Sequence, residues 1–130
     1  MKADSRVSVV VPNYNGIAFV ENCLKALIQD APKAEILVVD NGSTDGSREL
    51  VIEKFPQVRV IALGENFGFC KASNVGMQKA SSPYVILLNN DTEVLPGFTE
   101  ALVSALQLES RAFSAEAKMI QLHRPEKIDD

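Results

Sequence analysis

Four short apolar runs recur along the chain, each followed by a stretch whose apolar residues keep helical spacing. Val7-Ser8-Val9-Val10-Val11 and Ile36-Leu37-Val38-Val39 are rich in β-branched residues. Val58-Arg59-Val60-Ile61-Ala62-Leu63 and Tyr84-Val85-Ile86-Leu87-Leu88 complete the set. Continuous apolar strands of this kind predict a sheet covered on both faces. Arg59 interrupts the third run, which predicts a position near a sheet edge. Between the runs, Val20, Cys23, Leu24, Leu27 and Ile28 form one apolar stripe, and Pro32 stops that helix. A second helix is predicted from Gly46 to Phe55, opening behind Ser43 and Thr44 as N-cap residues and burying Leu50, Val51 and Phe55.

The third predicted helix, Phe69 to Ala80, has a face of Ala72, Ser73, Gly76 and Ala80, small enough to lie close against a sheet. The fourth takes Pro96 as its first residue and carries Phe98, Ala101, Leu102, Ala105 and Leu106. Strand and helix thus alternate four times, so the fold class is α/β: a mainly parallel sheet with helices on both faces. Beyond Glu109 the pattern weakens. Ala112 to Leu122 reads as a further strand and turn, and Arg124 to Asp130 as a polar end that frays.

Composition narrows the classes of function. The chain has 130 residues, 46% apolar and 23% charged, which suits one globular domain spanning 1–130. A net charge of −4 without any Lys/Arg stripe disfavours nucleic acid as a partner, since phosphate-backbone binding needs a concentrated basic face. No apolar run approaches the roughly 20 residues that cross a bilayer, and Met1 to Ser8 lack a signal-like apolar core. A cytoplasmic protein is expected, at most peripheral to a membrane. Cys23 and Cys70 show no metal-binding spacing and read as small buried hydrophobes, and the single His123 as a solvated side chain.

The polar residues collect in one direction. Pro12-Asn13-Tyr14-Asn15-Gly16 follows the first strand and Asp40-Asn41-Gly42-Ser43-Thr44-Asp45 the second. Gly64-Glu65-Asn66-Phe67-Gly68 follows the third and Asn89-Asn90-Asp91 the fourth. All four clusters therefore fall along the carboxyl rim of the sheet, where open α/β sheets bind ligands. Asp40 either accepts from a ribose hydroxyl or a base N–H, or closes an Asx-turn. Asn66, Gly68, Asn74 and Gly76 permit close backbone approach, so the third helix either faces an anion or is only capped and tightly packed. Asp91 is the metal candidate. A hard cation bridging two phosphates needs one or two carboxylates, because phosphate oxygens and water fill its shell. The plainer role for Asp91 is to cap a turn.

In this order, the clusters resemble the family 2 glycosyltransferases with their GT-A nucleotide-sugar-binding fold. The resemblance rests on Val9 to Gly16, Val38 to Ser47, Asn66 to Phe69, Asn74-Val75-Gly76 and Leu87 to Thr92, and covers about Val7 to Lys118. It is nearest to rhamnosyltransferase-like members, which often carry Asn at the first position of the DxD motif. It implies that Pro12, Asn13 and Tyr14 line the nucleotide pocket and that Asp40 contacts the base or ribose. Asn66, Gly68 and Asn74 are implied near the diphosphate or sugar. Asn89 and Asn90 match the first two DxD positions, and Asp91 the metal-binding third, with Mg²⁺ or Mn²⁺ as cofactor.

The implied partner is a UDP-, dTDP- or GDP-linked sugar, transferred with inversion to a hydroxyl of a glycan or lipid-linked acceptor in polysaccharide or cell-envelope synthesis. Asn89 and Asn90 leave Asp91 as the motif's only carboxylate, and nothing here matches the acidic catalytic base, which is expected beyond Asp130. The chain thus reads as the donor half of a longer enzyme. A missing acceptor half would leave apolar surface open to self-association. The alternative is a non-catalytic module that binds a nucleotide sugar or a partner. Other nucleotide enzymes fit poorly: a P-loop, a GxGxxG turn, the basic Gly-rich loop of nucleotidyltransferases and the acidic pair of receiver domains are all missing.

Overall fold

The computed structural model describes residues 6–108, 119–121 and 124–129. The elements run β1 (Val7–Asn13), α1 (Val20–Asp30), β2 (Glu35–Asp40), α2 (Ser47–Lys54), β3 (Arg59–Ala62), α3 (Phe69–Lys79), β4 (Tyr84–Leu87) and α4 (Phe98–Leu108). Each apolar run became a strand. The four strands form a parallel sheet in the order β3-β2-β1-β4. β1 and β2 are central, which is why their runs tolerate almost no polar residue. Arg59 does stand on an edge strand.

Apolar packing divides on the two faces of the sheet. On one, Val7, Val9, Val11, Ile36 and Val38 pack with Val20, Cys23, Leu24 and Leu27 of α1, Val51 of α2 and Val103 of α4. On the other, Val10, Leu37 and Val39 meet Ala72 of α3. Gly76 brings α3 that close: a Cβ there would run into Val10 and lie 3.0 Å from Val39. Full burial of a Val or Leu stabilises by about 1.5–3 kcal/mol. The central strands, buried at every position but Glu35, therefore hold the sheet.

The edges depart from the expected double cover. β4 alternates, with Tyr84 and Ile86 on the α1 side while Val85 and Leu87 remain 39% and 41% exposed. Among the described residues the α3 helix packs chiefly against β1 and β2 and leaves Val85 and Leu87 of the outer strand exposed.

Four local expectations are corrected. Helix α4 starts at Phe98, not Pro96, because the Asp30 carboxylate at the end of α1 accepts from Gly97 N (2.8 Å) and Thr99 N (2.9 Å). Its buried positions are Thr99 and Val103, whereas Ala101 and Ala105 are exposed. Cys70 is exposed on α3, and only Cys23 is buried. Residues 124–129, read as a fraying end, form strand β6 (Arg124–Asp129), antiparallel to β5 (Met119–Gln121) in a separate ribbon. Backbone pairing, which polarity does not forbid, makes that strand. His123 and the remainder of the expected strand and turn, residues 112–118 and 122, lie outside the described residues. Among the described residues no helix is long and apolar enough to cross a membrane.

Candidate functional site

Because the strands are parallel, all four polar clusters emerge at one rim. Asn41 N donates to Asn13 O (2.8 Å), Leu63 N to Asp40 O (2.9 Å) and Leu88 N to Val10 O (2.9 Å), so the ladder continues into the loops. The strand order turns back at β1, between β2 and β4, and such a switch point opens a crevice.

The first two loops are sewn together by side chains. Asn15, in the left-handed region with φ 50°, donates its N–H to Ser43 Oγ (2.9 Å) and accepts from Thr44 N (2.8 Å). Asp45 accepts from Ile17 N (3.0 Å) across the seam and from Ser47 N (2.9 Å) and Ser47 Oγ (2.6 Å) on its own side. Asp45 thus closes the start of α2, the task expected of Ser43 and Thr44, with Gly46 at the N-cap position. Burial opposes its ionisation, but the hydrogen bonds from Ser47 and Ile17 outweigh it and lower the pKa. A depressed carboxyl pKa stabilises the seam above the ordinary carboxylate range, and that support fades as pH falls through the lowered value.

The third loop leans on the second. Gly42 has φ +79°, and a Cβ there would sit 2.6 Å from Glu65 Cα, so only glycine admits the approach. Asn41, nearly buried, donates to Gly68 O (3.3 Å) and accepts from Phe67 N (3.3 Å). Asn66 Oδ1 accepts from Gly68 N (2.8 Å) and tightens the turn into α3. The fourth loop is tied to the first through Asn90, whose Nδ2 donates to Asn13 Oδ1 (2.9 Å). Beneath it the buried Cys23 thiol donates to Asn89 O (3.7 Å). Burial first, and then the negative charges of Asp91 and Glu93, push that thiol up to about 12.

These loops enclose a cleft of about 390 Å³ lined by Pro12, Asn13, Tyr14, Asn66, Gly68, Asn89, Asn90 and Asp91. Eight of the ten residues singled out by sequence are therefore together. The other two are elsewhere. Asp40 lies beneath the floor, fully buried, its carboxylate occupied by Asn13 Nδ2 (3.0 Å), Ser43 Oγ (2.7 Å) and Ser43 N (2.9 Å). Asn74 is exposed on α3 and does not line the cleft. Asn41 and Phe69 do line it and were missed. Each had a signal: Asn41 adjoins Asp40 in the loop, and Phe69 follows Gly68 into a helix start.

Among the described residues the lining contains one acidic side chain, Asp91, and neither Lys nor Arg. The start of α3 reaches the cleft at Gly68 and Phe69, where the helix dipole favours an anion. Two exposed aromatic rings, Tyr14 and Phe69, each about half exposed, offer flat apolar faces on the wall. Among the described residues no three His, Cys, Asp or Glu side chains gather to hold a resident metal. One carboxylate beside two amides instead fits a hard cation that arrives with phosphate oxygens.

The family model "Glycosyl transferase family 2" matches residues 8–120. The chain belongs to glycosyltransferase family 2. The putative teichuronic acid biosynthesis glycosyltransferase TuaG of Bacillus subtilis is 32% identical over 112 residues, covering 83% of this chain and 44% of TuaG. Residues 1–349 of S. aureus TarS, solved with UDP-GlcNAc, share the fold at TM-score 0.72 and 23% identity, covering 81% of this chain and 32% of that one. The mannosyltransferase PcManGT of Pyrobaculum calidifontis, solved with GDP-Man and Mn²⁺, is 31% identical at TM-score 0.58, covering 66% and 27%. This family 2 chain thus spans less than half the length of the relatives it matches. The α/β sheet with its rim cleft is the GT-A architecture expected from the sequence.

Proposed function

We propose that residues 1–130 form the donor-binding part of a glycosyltransferase and hold a UDP-, dTDP- or GDP-linked sugar at the rim cleft. One observation carries the reading: a polar cleft of about 390 Å³ in which Asp91 is the only lining charge among the described residues. A nucleoside diphosphate would meet a lone negative side chain there and no lining cation. Asp91 would hold Mg²⁺ or Mn²⁺, which would offset its repulsion toward the diphosphate, while Tyr14 and Phe69 stack or flank the base. The metal supplies Lewis-acid neutralisation of the leaving diphosphate. The start of α3 and Asn66 would face the phosphates or sugar, and Asn89 the ribose.

Transfer with inversion also needs a base to take the acceptor hydroxyl proton. Among the described residues the cleft lining supplies no second carboxylate, and this reading places the base beyond residue 130 and gives the chain binding without efficient transfer. TuaG's description and the Asn at position 89 support a cell-envelope glycan acceptor and a rhamnosyltransferase-like donor. The work would take place in the cytoplasm, at or near the membrane face.

Calorimetry with UDP, dTDP and GDP, each with and without Mn²⁺, tests the reading. One nucleotide is expected to bind at least about tenfold tighter with Mn²⁺, about 1.4 kcal/mol. No binding of any of the three overturns it. The uncovered Val85 and Leu87 further support self-association of this chain. Sedimentation should show a concentration-dependent shift that Val85→Thr with Leu87→Thr removes. An unchanged shift would assign the contact to another surface.

A further inference from the structure

The Asn90 amide does not choose its own orientation. Asp40 Oδ1 can only accept, and it accepts from Asn13 Nδ2 at 3.0 Å. Asn13 Nδ2 also faces Ser47 Oγ (3.0 Å) and Ser43 Oγ (3.3 Å). Both hydroxyl protons are already committed, Ser47's to Asp45 Oδ1 (2.6 Å) and Ser43's to Asp40 Oδ1 (2.7 Å). Three acceptors therefore surround one end of the Asn13 amide, and a flipped amide would set its oxygen against all of them. Asn13 is 1% exposed, so water cannot compensate. Its Oδ1 must then face Asn90, and Asn90 must answer with Nδ2, as it does at 2.9 Å. Gly16 leaves room for this contact, because a Cβ there would collide with Asn90 Nδ2 and Asn13 Oδ1 together.

We propose that buried Asp40, acting through Asn13 as a positioning residue, fixes the Asn90 amide so that its Oδ1 is presented beside Asp91 as an acceptor for a hydrogen-bond donor on the ligand. The donor is a hydroxyl of the bound nucleotide sugar or a water on its cation. This rests on the proposed donor-binding role of the cleft. It also explains why a second carboxylate is disfavoured at this position. Aspartate at 90 would point a lone pair at Asn13 Oδ1, and Asn13 cannot turn to meet it.

The test moves the charge from one end of the relay to the other. On charge alone, Asn90→Asp should tighten Mn²⁺ binding by adding a carboxylate beside Asp91. The relay predicts the reverse: Mn²⁺-dependent UDP affinity falls about tenfold and Tm drops. Asp40→Asn alone also weakens both, because its Nδ2 would face Asn13 Nδ2. In Asp40→Asn with Asn90→Asp, Asn13 can turn, donating to the new carboxylate and accepting from the new amide and from the Ser43 hydroxyl that Asp40 no longer holds, with Ser47 Oγ the one acceptor still facing its oxygen. The double variant should recover at least about tenfold in affinity over the product of the singles, a coupling of about 1.4 kcal/mol. Effects that simply multiply, or an Asn90→Asp variant that binds Mn²⁺ more tightly than the original, overturn the relay. The same cycle read in Tm without ligand separates the two hypotheses. Coupled Tm values with no nucleotide binding in any variant would leave the relay standing and remove both the acceptor role and the donor site.

Discussion

Asp91→Ala is expected to erase the gain that Mn²⁺ gives to nucleotide binding, at least about tenfold or about 1.4 kcal/mol, while metal-free binding changes less than about twofold. The size follows from the composition of the cleft. With several carboxylates, losing one would weaken a cation site; here Asp91 is the only acid in the lining among the described residues, so that lining loses its whole formal charge. The neighbouring amides Asn89 and Asn90 offer dipoles, which cannot replace a carboxylate against a hard divalent ion. Removing the charge also removes repulsion toward the diphosphate, which is why the metal-free arm should stay level or improve slightly. Titration calorimetry of UDP, dTDP and GDP across a Mn²⁺ series checks both arms. Retention of the metal-dependent gain would move the cation away from this loop.

The second large effect is on stability. Asp40→Ala should cost about 3–5 kcal/mol, since removing one partner of a buried charged network strands the rest. Asn13 Nδ2, Ser43 N and Ser43 Oγ all lose an acceptor in a place water does not reach, whereas Arg48, 3.9 Å from Asp40, keeps its closer pair with Glu49 at 2.7 Å. For a chain of 130 residues each kcal/mol lowers Tm by roughly 4 °C, so the melting curve should fall by about 10–20 °C. Asp40→Asn should fall less, because its remaining oxygen can still accept from Ser43 N. A loss below about 1 kcal/mol in Asp40→Ala would mean the network is solvated after all.

The contrast between these two acids shows what was legible in the sequence. Asp91 stands at the end of an apolar run, and its place on the rim follows from strand direction alone. Asp40 stands at the end of another, and the same logic sent it to the ligand. What distinguishes them is a partner 27 residues away: Asn13 reaches across from the adjacent strand and claims the carboxylate. Local pattern carries no trace of such a pairing. The start of α4 has the same character, set by Asp30 from 67 residues upstream in the hydrogen bond to Gly97. The strands and their order of burial were readable, since continuous apolar runs have few other homes. The bare face of β4 was not, because Val85 and Leu87 have the same composition whether covered or open.

The two thiols turn the cleft into something that can be timed. Cys70 stands in solvent on α3 and will meet an alkylating reagent at once, whereas Cys23 is sealed under Asn89 with its proton held tightly. Since only the thiolate reacts and Cys23 is fully buried, it is labelled only when the packing around it, the contact to Asn89 included, opens. With Cys70 already capped, mass spectrometry of a labelling time course thus records that opening, and ligands that hold the 89–91 loop in place are ranked by how long they delay the second mass increment.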